Sequence, residues 1–188
     1  MSRSALISIE PETIESAAPR ASELLQATQK NFGFVPNMYG YMAKLPGVLA
    51  GYMSTYKDFR SESGFTPPEQ EVVFLTISRV NGCTYCTAAH SMVADKSSGV
   101  PADVLKALRD GETLPDEKLQ ALSSFAEEMV LSRGNPGQDA VDAFLAAGYT
   151  EQNVLGVVLG IACKTFSNYV NGLAGTPVDD AFAAYKVD

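Results

Sequence analysis

One histidine and three cysteines are all the imidazole and thiol that this 188-residue chain contains. It also lacks a basic run and a long apolar run. Without clustered lysine or arginine to neutralise phosphates, and with a formal net charge of -8, neither nucleic acid nor an anionic membrane surface is expected as a partner. The longest nearly apolar stretch, Val154 to Ala162, is far short of the roughly 20 residues a membrane-spanning helix needs. The opening residues, Met1 to Glu10, offer too short an apolar stretch for a secretory leader and meet acids at Glu10 and Glu12, so a cytoplasmic location is expected. Three cysteines do not make the even, dense framework of a disulfide-stapled secreted domain. In a reducing compartment, two of them close together point to catalysis or metal binding. No segment alternates apolar and polar residues as a half-buried strand does.

What is present is ordinary for a globular protein, 46% hydrophobic and 19% charged residues, and the length suits one domain over 1–188. Proline and glycine punctuate a series of helical patterns. Pro19 to Phe32 carries an apolar stripe at Ala21, Leu24, Leu25, Thr28 and Phe32 and stops at Gly33. Two shorter helices follow, one within Val35 to Pro46 and one from Pro46 to about Arg60, both rich in Tyr and Met. Thr66-Pro67-Pro68-Glu69 combines a cap, a first-turn proline and an acid three residues after the cap, predicting a helix to Val80 that ends at Asn81-Gly82. The next helix starts near Cys83 and runs to about Lys96. Others are expected at Pro101 to Arg109, Pro115 to Arg133, Gln138 to Ala147, and from a Thr150 cap over Glu151 to about Leu173. The fold class is therefore all-α, about eight helices without significant sheet.

The histidine falls inside Cys83-Thr84-Tyr85-Cys86-Thr87-Ala88-Ala89-His90, four residues after the second cysteine of a Cys-x-x-Cys pair. At about 100° per residue, positions 83, 86 and 90 lie within ~60° of one another on a helix. The unpaired N–H groups at a helix start favour an anion, which lowers a thiol pKa and makes thiolate, the form that attacks peroxide or disulfide. Glu71 stands eleven residues before Gly82 and His90 eight after it, so on antiparallel helices they differ in height by about 5 Å, within reach of a glutamate side chain or one water. A relay from Glu71 through His90 to cysteine follows, the carboxylate orienting an imidazole that takes or gives the thiol proton.

Two rival readings of the pair are disfavoured and one stays open. Haem attachment needs a histidine directly after the second cysteine, where Thr87 stands. A thioredoxin motif needs a βαβ setting. Zinc remains, since Cys83, Cys86, His90 and Glu71 supply four ligand types, although no second Cys-x-x-Cys or histidine pair completes a structural site. Such a protein would be a redox sensor or zinc-binding helical oligomer without turnover. Cys163, in an apolar helix, reads as an inert core residue, and Tyr85 as packing or access control. Tyr39, Tyr41, Met38, Met42 and Tyr52 are candidates for an apolar substrate pocket, and Gly156 and Gly160 for close contact in an oligomer.

The spacing of Glu71, Cys83-x-x-Cys86 and His90 resembles that of the AhpD-like alkylhydroperoxidases of the carboxymuconolactone decarboxylase superfamily. Phe34-Val35-Pro36-Asn37, Thr165 to Asn171 and Gly175-Thr176-Pro177-Val178-Asp179 are similar to its peroxidase-related branch. The resemblance implies an all-helical homo-oligomer, trimer or hexamer, with no metal or organic cofactor. It implies that Cys86 attacks a small-molecule hydroperoxide, that Cys83 resolves the sulfenic acid as a disulfide, and that Glu71 and His90 relay protons. A dithiol reductant, lipoyl or thioredoxin-like, would reopen the disulfide. The best-known members carry a second histidine just before the second cysteine, where this chain has Tyr85. The lactone decarboxylases share the fold without relying on a cysteine pair, so decarboxylation is the weaker expectation.

Overall fold

A computed structural model describes residues 4–187, all helix and connecting turn with no strand among them. The helices are α1 (Pro19–Phe32), α2 (Asn37–Met42), α3 (Pro46–Glu62), α4 (Pro67–Val80), α5 (Thr84–Val93), α6 (Ala102–Asp110), α7 (Glu117–Leu131), α8 (Gln138–Ala146) and α9 (Glu151–Ala174). A single π-helical turn, Ala94–Ser98, extends α5, and a 3-10 turn, Asp180–Tyr185, closes the chain. No helix among the described residues is long and apolar enough to cross a membrane.

Helix α4 is the axis of the molecule. From Glu69 to Ser78 every residue is buried, because α5, α7 and α9 pack around it with α6 at one end. Such a helix reads as apolar on all sides, and its polar members must find partners inside. Thr76 pairs with Ser123 of α7 at 2.8 Å, and Ser78 donates to the Phe74 carbonyl at 2.7 Å. At its start the Thr66 backbone N–H and hydroxyl both donate to the Glu69 carboxylate at 2.8 Å, as the Thr-x-x-Glu pattern anticipates.

The glycines of α9 serve the interior. A β-carbon on Gly156 would lie 2.6 Å from the Ser63 carbonyl oxygen at the end of α3, and one on Gly160 would lie 2.8 Å from Val73 Cγ1. These glycines let α9 approach α3 and α4, rather than providing the oligomer contact expected from sequence. Gly156→Ala should therefore cost about 1–3 kcal/mol, the range for forcing an extra methyl into a packed interface. A lower urea midpoint at unchanged slope would show it.

Candidate active site

The α4–α5 hairpin creates the site. Gly82 turns the chain at φ 64°, where a side chain would be strained, and the turn is tight enough for the Cys83 N–H to reach the Ser78 carbonyl at 2.8 Å. Asn81 Nδ2 donates to Asn168 Oδ1 of α9 at 2.9 Å, tying the turn to that helix. Cys83 thereby becomes the N-cap of α5, and its Sγ accepts from the Cys86 N–H at 3.4 Å. A sulfur thus satisfies a donor that the first turn of any helix leaves unpaired. Both cysteines are buried free thiols.

Asn171, also on α9, holds the sulfurs from the other side. Its Nδ2 lies 3.3 Å from Cys86 Sγ, 3.7 Å from Cys83 Sγ and 3.2 Å from Met38 Sδ. The two thiols are electrostatically unequal. Burial pushes the Cys86 pKa up, but the Cys83 hydrogen bond, the Lys164 ammonium, His90 and Ser167 more than offset it and hold that thiol well below its ordinary value. Cys83, which shares its hydrogen with Cys86 and faces that neighbour's charge in a buried setting, is pushed far up. Cys86 is thereby the thiol that ionises more readily, and Cys83 the one that keeps its proton.

Glu71 and His90 meet as the spacing across the turn predicts. His90 Nδ1 lies 2.8 Å from Glu71 Oε2, and the other carboxylate oxygen is held by Arg60 of α3 at 2.5 Å. The π-helical turn adds Ser98, whose hydroxyl donates to Glu71 Oε1 at 3.3 Å. Burial would raise the Glu71 pKa, yet His90 and Arg60 keep it below the ordinary carboxylate value. His90 is pulled down, first by burial and then by Lys164, against the opposing pull of Glu71. Among the described residues no hydrogen bond joins His90 to either sulfur, so its link to Cys86 in this state is electrostatic.

With both Glu71 oxygens engaged, the four-ligand zinc set does not come together. Among the described residues no group of three or more His, Cys, Asp or Glu side chains converges for a metal. Cys163 is buried within α9, its thiol pushed up to about 11 by burial, as a core residue should be. Tyr85 donates to Asp179 Oδ2 at 2.6 Å, and Asp179 also accepts from the Asn37 N–H at 3.0 Å. Tyr85 thus latches the C-terminal segment over α5.

A cavity of about 260 Å³ adjoins the site, walled by aromatic rings and Met side chains, with His90 among its lining residues. Met38, Tyr39 and Tyr52 line it as expected, while Tyr41 and Met42 do not. Met42 is buried in the core instead. Phe34, Tyr56, Tyr85 and Phe182 were not anticipated as lining residues. Met38 both faces this cavity and touches Asn171, so it stands between the cavity and the sulfurs.

Arg60, Lys164, Asn168 and Asn171 belong to this site and are not among the site residues expected from sequence, although Asn168 and Asn171 lie in the Thr165 to Asn171 segment noted there for its resemblance. Lys164 had a visible signal, being the only charged residue of α9 after Glu151.

Residues 46–128, which include Glu71, Cys83, Cys86 and His90, match the carboxymuconolactone decarboxylase family. The fold is that of an AhpD-core, uncharacterised peroxidase-related protein from Ralstonia eutropha JMP134, with a TM-score of 0.82 over 96% of both chains at 18% identity. A peroxidase-related protein from Silicibacter sp. TM1040 scores 0.72 at 21% identity, over 96% of this chain and 91% of that one. A Cys-to-Ala variant of the debrominase Bmp8, in complex with 2,3,4-tribromopyrrole, scores 0.77 at 19% identity over 97% of both chains. None of the curated proteins matches the chain. The fold is thus that of these AhpD-core and peroxidase-related structures, and the match to the carboxymuconolactone decarboxylase family spans the segment that carries the two cysteines, Glu71 and His90.

Proposed function

We propose that this protein is a thiol-dependent peroxidase that reduces organic hydroperoxides through a Cys83–Cys86 dithiol cycle. The observation that carries the reading is the inequality of two adjacent thiols, Cys86 held low and Cys83 held high, with one amide, Asn171, donating to both sulfurs. Cys86 thiolate attacks the distal peroxide oxygen. The O–O bond breaks, and the alkoxide leaves as alcohol after taking one proton, while Cys86 becomes a sulfenic acid. The Cys83 sulfur then attacks the sulfenic sulfur, hydroxide leaves as water with the Cys83 proton, and the thiol pair, having lost two electrons to the peroxide, is left as a disulfide.

His90, supported by Glu71, supplies or removes the protons. An external dithiol, lipoyl or thioredoxin-like, restores the thiols. The aromatic cavity suits an apolar organic substrate. Homo-oligomeric assembly is part of the same proposal, and the outward residues Leu155, Val158, Tyr169 and Leu173 of α9 are exposed apolar surface that it would cover.

A second reading uses the same dithiol for reductive dehalogenation, exchanging an aromatic carbon–bromine bond for carbon–hydrogen while the thiols become a disulfide and bromide is released. The aromatic cavity and the likeness to the fold of Bmp8 favour it.

The test is intact mass and free-thiol count on reduced, metal-free protein after one equivalent of cumene hydroperoxide, with 2,3,4-tribromopyrrole and a Cys86→Ser variant in parallel. Rapid loss of two thiols with cumyl alcohol formed, in the native chain only, is the expected result. Oxidation by the bromopyrrole alone selects the dehalogenase. Thiols intact with both compounds reject turnover and leave a sensor.

A further inference from the structure

We propose that Lys164 is the resident counter-ion of the Cys86 thiolate, a buried ammonium placed to hold the nucleophile charged. It deepens the thiol reading of the site and rests on it, although thiolate formation is measured without any substrate and the two can fail separately.

Lys164 is 1% exposed, and its Nζ has no hydrogen-bond partner among the described residues. Lysine is almost never buried so fully unless paired, and an unpaired buried ammonium is costly. The face of Phe74, 5.2 Å from Nζ to ring centroid, offers partial compensation. The same ring lies 4.8 Å from the His90 ring, so Phe74 has both the ammonium and the imidazole as neighbours. Lys164, Asn168 and Asn171 are spaced four and three residues apart on α9, a single helical face. Asn168 holds the hairpin turn and Asn171 holds both sulfurs.

The anion that Lys164 needs can be found by elimination. Glu71 is committed to Arg60 and His90, and Asp179 to Tyr85 and the Asn37 N–H. Burial pushes the hydroxyls of Tyr39, Tyr52, Tyr56 and Tyr85 upward, so they stay neutral. Cys163 stays a thiol, and Cys83 is held protonated by Cys86. His90 is pulled toward its neutral form. Both carboxylates are thus engaged elsewhere, and neither pairs with Lys164. Cys86 as thiolate is the anion left to face it, and Lys164 is among the groups that lower the Cys86 pKa.

A redox consequence follows. Oxidation to the disulfide removes the negative charge and leaves Lys164 uncompensated. The reduced form is therefore favoured, and the disulfide is a stronger oxidant than an ordinary one. The lysine would thereby help an external dithiol to reopen it.

Ultraviolet thiolate absorbance should be followed against pH in the native chain, Lys164→Met, Lys164→Arg and Cys163→Ser, with the glutathione redox equilibrium of each. In the native chain and in Cys163→Ser, one thiolate is expected at neutral pH, absent from Cys86→Ser. Lys164→Met should reduce the thiolate fraction by up to about tenfold per unit of upward pKa shift and move the redox equilibrium toward disulfide, while Lys164→Arg keeps most of both. Should Lys164→Met not fold, the native chain still decides, because the Lys164 side-chain NMR resonance must shift at the pH where Cys86 titrates. A native protein without thiolate at neutral pH, a folded Lys164→Met with an unchanged titration, or a Lys164 resonance blind to Cys86 overturns the assignment.

Discussion

Replacing Glu71 by alanine is expected to cost about 3–5 kcal/mol of folding stability, the range for leaving one member of a buried ion pair without its partner. Glu71 is 0% exposed, and its carboxylate is the joint between α3, α4 and α5 through Arg60 and His90. Arg60 retains some access to water, which places the loss toward the lower end. Glu71→Gln keeps the shape but not the charge and should cost less. The two variants also differ from the native chain in acid. The folded pKa of Glu71 lies below the ordinary 4.5, so the unfolded chain binds the proton first and stability falls as pH drops from about 4.5 toward that lower value. His90 is likewise depressed below its ordinary 6.5, so its share is intact above 6.5 and is lost as pH falls below it. Glu71→Gln should abolish the lower of these two losses and keep the upper one. Urea midpoints across the acid range read both, and an unaltered lower limb in Glu71→Gln would refute the carboxylate's role.

The sequence reveals those parts of the fold whose causes are local. Helix α1 starts at Pro19 and stops at Gly33 because a proline fits the first turn and a glycine takes the left-handed cap. Helix α9 begins at Thr150, which pairs with Asn153 in the same way that Thr66 pairs with Glu69. Helix α2 is shorter than its proline flanks suggest, since Pro36 is its cap and the chain leaves the helix after Met42. The π-helical turn at Ala94–Ser98 and the 3-10 turn at Asp180–Tyr185 had no local signal. Each is fixed by a distant partner, Glu71 for Ser98, and Arg109, which donates to the Tyr185 carbonyl at 2.9 Å.

The same division holds in the site. Cys83, Cys86 and His90 share one helix, and Glu71 is one turn of chain away, so their spacing encodes their meeting. Arg60 and Asn171 come from α3 and α9, and no sequence separation predicts that those helices flank the hairpin. Lys164 is intermediate. A single charge in an apolar helix must be paired somewhere, but only the packing shows with what.

Cys83→Ser should convert the proposed cycle into a single event. Cys83 keeps its proton beside the neighbouring sulfur, and its own Sγ accepts the Cys86 N–H at 3.4 Å. A serine hydroxyl can cap the helix at this position at least as well, so the fold should survive. It can also hydrogen-bond to the Cys86 thiolate, so peroxide attack should proceed at a rate within about tenfold of native, with general acid catalysis through His90 intact. What it cannot do is displace hydroxyl from sulfenic sulfur, because an alkoxide is neither available at neutral pH nor a match for thiolate at sulfur. Turnover with a dithiol reductant should therefore fall by about 10³-fold or more, while one equivalent of sulfenic acid accumulates and can be trapped by dimedone. Cys86→Ser should lose the first step as well and trap no dimedone. If Cys83→Ser instead turned over at the native rate, the resolving thiol would have to come from the reductant itself. Cys83 would then be a cap and hydrogen-bond donor for the nucleophile, and its protonated state would serve the first chemical step alone.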